Sequence, residues 1–166
     1  MRKILLPAAF VAVLAASVSC GGGDTAPAQG EWIQGSEAEK LETIERQFAG
    51  FGRAMVEVGY RYSELYWAGT DENWEYAEHQ LEELYETIEL ALERRPERAK
   101  SSEYFMNDVV AQMEAVIEAE DAEGFGEAFK IFTAGCNSCH AMEAHAFIRV
   151  APPEYRRSPV RPAQSE

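Results

Sequence analysis

Cysteine is scarce in this chain: 166 residues carry three, and two of them stand only three positions apart. That scarcity excludes a disulfide-stapled scaffold, which needs four or more cysteines in a short chain. Proline is missing between Pro27 and Pro96, so nothing in that stretch has to break a helix. Strand-like alternation of apolar and polar residues is missing as well, which argues against a sheet protein. Beyond residue 18 no apolar run is long enough to span a bilayer. Basic side chains are few: 15 Lys and Arg stand against 29 Asp and Glu, a formal charge of −14 at pH 7. Such a surface disfavours nucleic acid and suits a partner with a basic docking face, although acidity for solubility explains it equally well.

What is present begins at the N-terminus. Arg2 and Lys3 form a basic region, Ile4 to Val18 an apolar segment, and Ser17-Val18-Ser19-Cys20 a cleavage-like site, together the layout of an export signal over residues 1–19. The segment resembles a bacterial lipoprotein signal, and the resemblance implies that Cys20 becomes the lipidated first residue of the mature chain. Ser17 stands where that pattern usually has an aliphatic residue, and cleavage after Ser19 or Ala28 would instead release a soluble periplasmic protein. Residues 20–35 are Gly-rich at their start and read as a flexible tether.

Cys136-Asn137-Ser138-Cys139-His140 is a C-x-x-C-H run, the attachment signature of haem c. On a helical turn, two thiols three residues apart can each add across a haem vinyl group, and the adjacent imidazole supplies an axial nitrogen to the iron. The motif therefore predicts one covalent haem on Cys136 and Cys139 with His140 as the metal ligand. Two other uses of such a motif need partners. A thioredoxin-like C-x-x-C needs a βαβ setting, and structural zinc needs four ligands, whereas the remaining Cys and His residues are only Cys20, His79 and His145.

From Ser36 the chain reads as four helices. Leu41, Ile44, Phe48, Phe51, Met55, Val58, Tyr62 and Leu65 recur every three or four residues and predict one long helix ending at Ala68-Gly69-Thr70. Asp71 is the expected N-cap of a second, whose stripe is Trp74, Ala77, Leu81, Leu84, Ile88 and Ala91. After Pro96, Ser101 or Ser102 caps a third with Met106, Val109, Met113 and Val116. A turn at Asp121 opens the fourth, carrying Phe125, Phe129, Phe132, Cys136 and His140, and Pro152-Pro153 closes it. Short connections predict an all-α, antiparallel up-down-up-down four-helix bundle over residues 36–150, with an irregular or mobile tail over 151–166.

An exported helical domain with a single C-x-x-C-H on its last helix resembles the cytochrome c′ family and its four-helix relatives. The resemblance implies a haem inside one end of the bundle, with the sixth iron position empty or blocked by an apolar side chain of the first helix. Arg46-Gln47 matches a pair that many members carry shortly before the blocking position, which would place Gly50 opposite the iron. A ruler that sets Ala68 level with Ala122 in antiparallel helices also puts His140 level with Gly50. The expected distal pocket is thus Phe48, Gly50, Phe51 and Met55, with Arg46 nearby, and with Met55 too far along the helix to ligate. His79 falls off its helix's apolar stripe and is expected at the surface. His145 is left as a surface residue, a contact to the haem edge or, after a break in the helix, a ligand. The function expected is periplasmic electron transfer by a non-enzymatic cytochrome. Binding or sensing of nitric oxide or carbon monoxide at a five-coordinate iron is the alternative, and a homodimer is compatible with the long acidic helices.

Overall fold

The computed structural model describes residues 31–161; the signal-like segment, Cys20 and most of the tether lie outside the described residues. The chain divides into two units, residues 1–43 and 44–166. Helix α1 (Glu37–Phe48) begins in the first and ends in the second, and Ser36 caps it: the Glu39 backbone N–H donates to Ser36 Oγ at 3.3 Å and the Ser36 N–H donates to Glu39 Oε2 at 2.7 Å, a reciprocal capping box. The second unit is helical as far as Met142, and no strand occurs among the described residues.

The single long first helix expected from the apolar stripe is interrupted. α1 ends at Phe48, and α2 (Phe51–Thr70) starts afresh after Gly50. Ala49 sits at φ 58, the left-handed region, with its N–H bonded to the Arg46 carbonyl at 3.2 Å, which is how a helix is terminated. Periodicity could not reveal this, because a two-residue break leaves the three-and-four spacing nearly in phase. Its consequence is plain in burial: Leu41, Ile44 and Phe48 are exposed, while Phe51, Val58, Tyr62 and Leu65 are buried.

Asp71 closes α2 rather than opening the next helix. Asn73 takes the N-cap of α3 (Trp74–Arg94), its side-chain oxygen accepting from the Tyr76 N–H at 3.4 Å. Left-handed Glu72 makes the tight turn between them. Neither Ser101 nor Ser102 caps the third helix. A 3-10 turn beginning at Pro96 leads into α4 (Ala99–Tyr104), which continues through a π-helical turn at Phe105–Val109 into α5 (Val110–Glu118). The extra residue in that turn rotates the buried face, so Phe105, Val110 and Ile117 join the expected Met106, Val109 and Met113 in the core, while Val116 is only partly buried. Asp121 caps α6 (Ala122–Met142) by accepting from the Gly124 N–H at 2.9 Å.

α2 packs on α3, α3 on α5, α5 on α6 and α6 on α2. The aromatic side chains of α6 fill the middle: Phe129 lies 4.9 Å from the Tyr62 ring and 5.0 Å from Tyr66, and Phe132 lies 5.0 Å from Phe105. Complete burial of a side chain such as Phe132 or Leu84 stabilises the fold by about 1.5–3 kcal/mol. α6 stops at Met142, ten residues before Pro152, because Ala144 turns left-handed at φ 59 and the His145 N–H bonds back to the His140 carbonyl at 2.7 Å.

The following segment is irregular, as expected, but it is tied down. Arg156 pairs with Asp71, its guanidinium lies 5.0 Å over the Trp67 ring, and Ser158 is buried. Among the described residues no helix is long and apolar enough to cross a membrane.

Candidate functional site

A cavity of about 370 Å³ opens between α2, α4 and the C-terminal end of α6, within the size range of small-molecule and cofactor sites. Cys136, Cys139 and His140 line one side of it. Phe51, Gly52, Met55, Val58, Gly59 and Tyr62 form the α2 wall, and Ser102 and Phe105 close another side. The π turn in the third helical run is what carries Phe105 there.

The sequence ruler misplaces the α2 wall by about five residues. Tyr62 OH and Thr133 Oγ1 are 2.7 Å apart, and a Cβ added at Gly69 would strike the Phe125 ring at 2.1 Å. These pairs show α2 and α6 numbering in opposite senses, and they bring His140 level with Met55, not Gly50. The ruler failed because it assumed that α2 ends level with the start of α6, whereas the first turn of α6 extends past the end of α2. Met55 and Phe51 therefore line the cavity as expected. Phe48 and Gly50 do not: Phe48 is 61% exposed beyond the α1 break, and Gly50 faces Arg95, whose Nη2 would be 3.4 Å from an added Cβ. Arg46, on α1, does not line it either.

Gly52 and Gly59 flank Met55 on the same face of α2. A Cβ added at either position meets nothing within 4 Å, so this wall is open on both sides of the thioether. Apolar walls, two thiols and an imidazole along one edge, and room where two side chains are missing make a site that suits a flat, covalently attached macrocycle. Chemistry of the donors agrees with that fit. Burial pushes the Cys136 thiol up to about 12, the reverse of the activated, low-pKa cysteine of a redox C-x-x-C. No group of three or more His, Cys, Asp or Glu side chains arranged to hold a metal ion occurs among the described residues.

The imidazole of His140 is oriented by backbone. Its Nδ1 lies 2.9 Å from the Ile148 carbonyl oxygen, an atom that can only accept. In the neutral imidazole this places the proton on Nδ1 and leaves the Nε2 lone pair for a metal. His145 also lines the cavity, with its Nδ1 2.6 Å from the Glu143 carbonyl. His79 is exposed on α3, as expected.

Arg98 is the cation that sequence reasoning missed. It lines the cavity, pairs with Glu143 at 3.3 Å and lies 5.1 Å over the Phe51 ring. Its approach depends on the turn at Pro96, which no periodicity reports. Comparison with protein-family models, with curated proteins and with solved structures finds no match for this chain.

Proposed function

We propose that this protein is an exported monohaem c-type cytochrome that transfers electrons on the periplasmic side of a bacterial membrane. Its fold would be an antiparallel up-down-up-down four-helix bundle made by α2, α3, α4–α5 and α6. Haem c would be held by thioethers to Cys136 and Cys139 with His140 ligating the iron, and it would supply one-electron iron chemistry. The single observation that carries this reading is the convergence of Cys136, Cys139 and His140 on one apolar cavity. Cysteines spent on zinc or on redox exchange would have no reason to line such a space.

The residues around the cavity have distinct tasks. The Ile148 carbonyl holds Nδ1 of His140 by a hydrogen bond and would leave Nε2 for the metal. Met55, level with His140 on the facing wall, lines the cavity and would offer a thioether to the iron. Phe51, Val58, Tyr62 and Phe105 exclude water, which limits reorganisation when the charge at the site changes. Arg98 and His145 line the cavity and would offer hydrogen-bond donors to carboxylates of the group. Lipidation of Cys20 would tether the protein to the membrane, soluble export being the alternative, and the acidic surface suits a basic redox partner.

A second reading rests on Gly52 and Gly59: the open space beside Met55 suits a five-coordinate iron that binds nitric oxide or carbon monoxide.

Co-expression with a cytochrome c maturation system tests the core of the proposal. Intact mass should exceed that of the bare chain by one haem, and Cys136→Ala with Cys139→Ala should abolish the gain; an unmodified wild-type mass refutes it. Spectra separate the two readings. Electron transfer predicts a low-spin haem whose methionine-to-iron charge-transfer band vanishes in Met55→Ala, and gas binding predicts a high-spin spectrum that shifts with carbon monoxide in the wild type. Fractionation of Cys20→Ala should move the protein from membrane to soluble fraction if the anchor exists.

A further inference from the structure

We infer that Asn137, between the two motif cysteines, is a positioning residue that sets the electron donation of His140 by clamping the chain segment that follows α6. The inference rests on the haem reading above and goes beyond it, because the motif leaves position 137 free.

Asn137 uses nearly all of its hydrogen-bonding capacity on backbone. Its Nδ2 donates to the Thr133 carbonyl at 2.9 Å and to the Val150 carbonyl at 3.0 Å, while its Oδ1 accepts from the Val150 N–H at 2.9 Å. Thr133 belongs to the same helix and holds the amide upright. The two bonds to Val150 grip a single residue of the returning segment from both its donor and its acceptor. Val150 lies two residues after Ile148, the residue whose carbonyl bonds His140 Nδ1 at 2.9 Å. Asn137 and His140 stand three positions apart on α6, so the same face of one helix holds both the imidazole and the clamp that presents its acceptor.

Packing holds the tip of that stretch only weakly: Phe147 is 81% exposed and Ile148 is 48% exposed, with the Phe147 ring 5.7 Å from His145, while Val150 packs partly buried against the core. Other attachments lie on the α6 side of Ile148: the His145 N–H to His140 carbonyl bond, the Ile148 N–H to His145 carbonyl bond at 2.8 Å, the His145 Nδ1 contact with the Glu143 carbonyl, and the pairing of Glu143 with Arg98 and Ser101. On the far side the first anchor is Val150.

A hydrogen-bond acceptor on Nδ1 makes an imidazole a stronger donor to its metal, and loss of such partners typically costs 10–100-fold in metal affinity or activity. The acceptor favours the ferric state, so weakening it should raise the reduction potential. A tenfold loss of preference for ferric iron reads as an upward shift of about 59 mV for one electron.

The test uses the haem-loaded full chain and three variants. Asn137→Ala removes the clamp. Asn137→Ser keeps a small neutral hydroxyl but cannot make all three bonds, a milder change if Asn137→Ala fails to mature. Ser138→Ala alters the exposed neighbour within the motif. Reduction potential is read by redox titration, and backbone hydrogen exchange is read over residues 146–150. The expected result is a raised potential and faster exchange in both Asn137 variants, larger for Ala, with Ser138→Ala like the wild type. Unchanged potentials in haem-loaded Asn137 variants overturn the inference and leave the haem reading standing. So does a shifted potential without faster exchange, or an equal shift in Ser138→Ala. A wild-type chain that takes up no haem removes the haem reading and this inference together.

Discussion

Gly69→Ala tests how closely α2 and α6 approach at the end remote from the cavity. A Cβ at this position would lie 2.1 Å from Phe125 Cζ, 2.2 Å from Cε2 and 2.5 Å from Cε1. The ring would have to retreat by roughly 1.4 Å to regain the ~3.5 Å of ordinary carbon contact. Its retreat is obstructed: Phe125 is buried, with Trp74 at 6.1 Å and Phe129 at 5.8 Å between ring centroids. Overpacking of this kind costs about 1–3 kcal/mol, against which better helix propensity returns at most about 1 kcal/mol. The net expectation is a loss of up to about 2 kcal/mol, or a fall in Tm of up to roughly 8 °C. Gly126→Ala is the matched control, since a Cβ there meets nothing within 4 Å and should gain up to about 1 kcal/mol from propensity alone. Urea denaturation of the two variants and the wild type measures the difference. If Gly69→Ala stabilises the protein as much as Gly126→Ala, the α2–α6 register is wrong, and with it the placement of Met55 level with His140.

Alkaline stability should report on Tyr62. Burial raises its hydroxyl to about 12, the bond with Thr133 offsetting part of the rise, so the folded state holds this proton more tightly than the unfolded chain. Its stabilisation is intact below about pH 10 and falls as pH climbs towards 12, by roughly 2 kcal/mol at most; the urea midpoint should drop more steeply over that interval in the wild type than in Tyr62→Phe, and parallel curves would contradict the assignment. Arg156→Ala removes both the pair with Asp71 and the contact with Trp67, at a cost of about 1 kcal/mol. Limited proteolysis should then cut at Arg157 well before the helices, and an unchanged digestion pattern would mean that Arg156 does not hold the segment.

Helical content was legible in the sequence because each core stripe is long and regular. Trp74 to Ala91 and Phe125 to Phe132 were read correctly, since period and burial coincide on a helix packed along one side. Leu41, Ile44 and Phe48 were misread for the same reason: a helix break of two residues preserves the spacing of apolar side chains while removing the surface they would cover. Caps behaved similarly. Asp71, Asn73 and Asp121 all suit an N-cap, and only the positive φ of Glu72 decides that Asn73, not Asp71, begins α3.

By itself the sequence determined the chemistry that the molecule carries: two thiols and an imidazole at fixed spacing on one helix, acidic faces, and enough apolar residues at period 3.6 to build a helical core. Those are properties of neighbouring residues, and neighbours are what a sequence specifies directly. The tertiary structure alone decided what faces the motif. Met55 stands level with His140 because aromatic packing at Gly69, Phe125, Tyr62 and Phe129 sets the stagger of α2 against α6. Arg98 reaches the cavity through the turn at Pro96, and the Ile148 carbonyl reaches Nδ1 because left-handed Ala144 folds the chain back. A shift of one helical turn between packed helices changes none of the local patterns, so it can be fixed only by how side chains far apart in the chain fill the space between them.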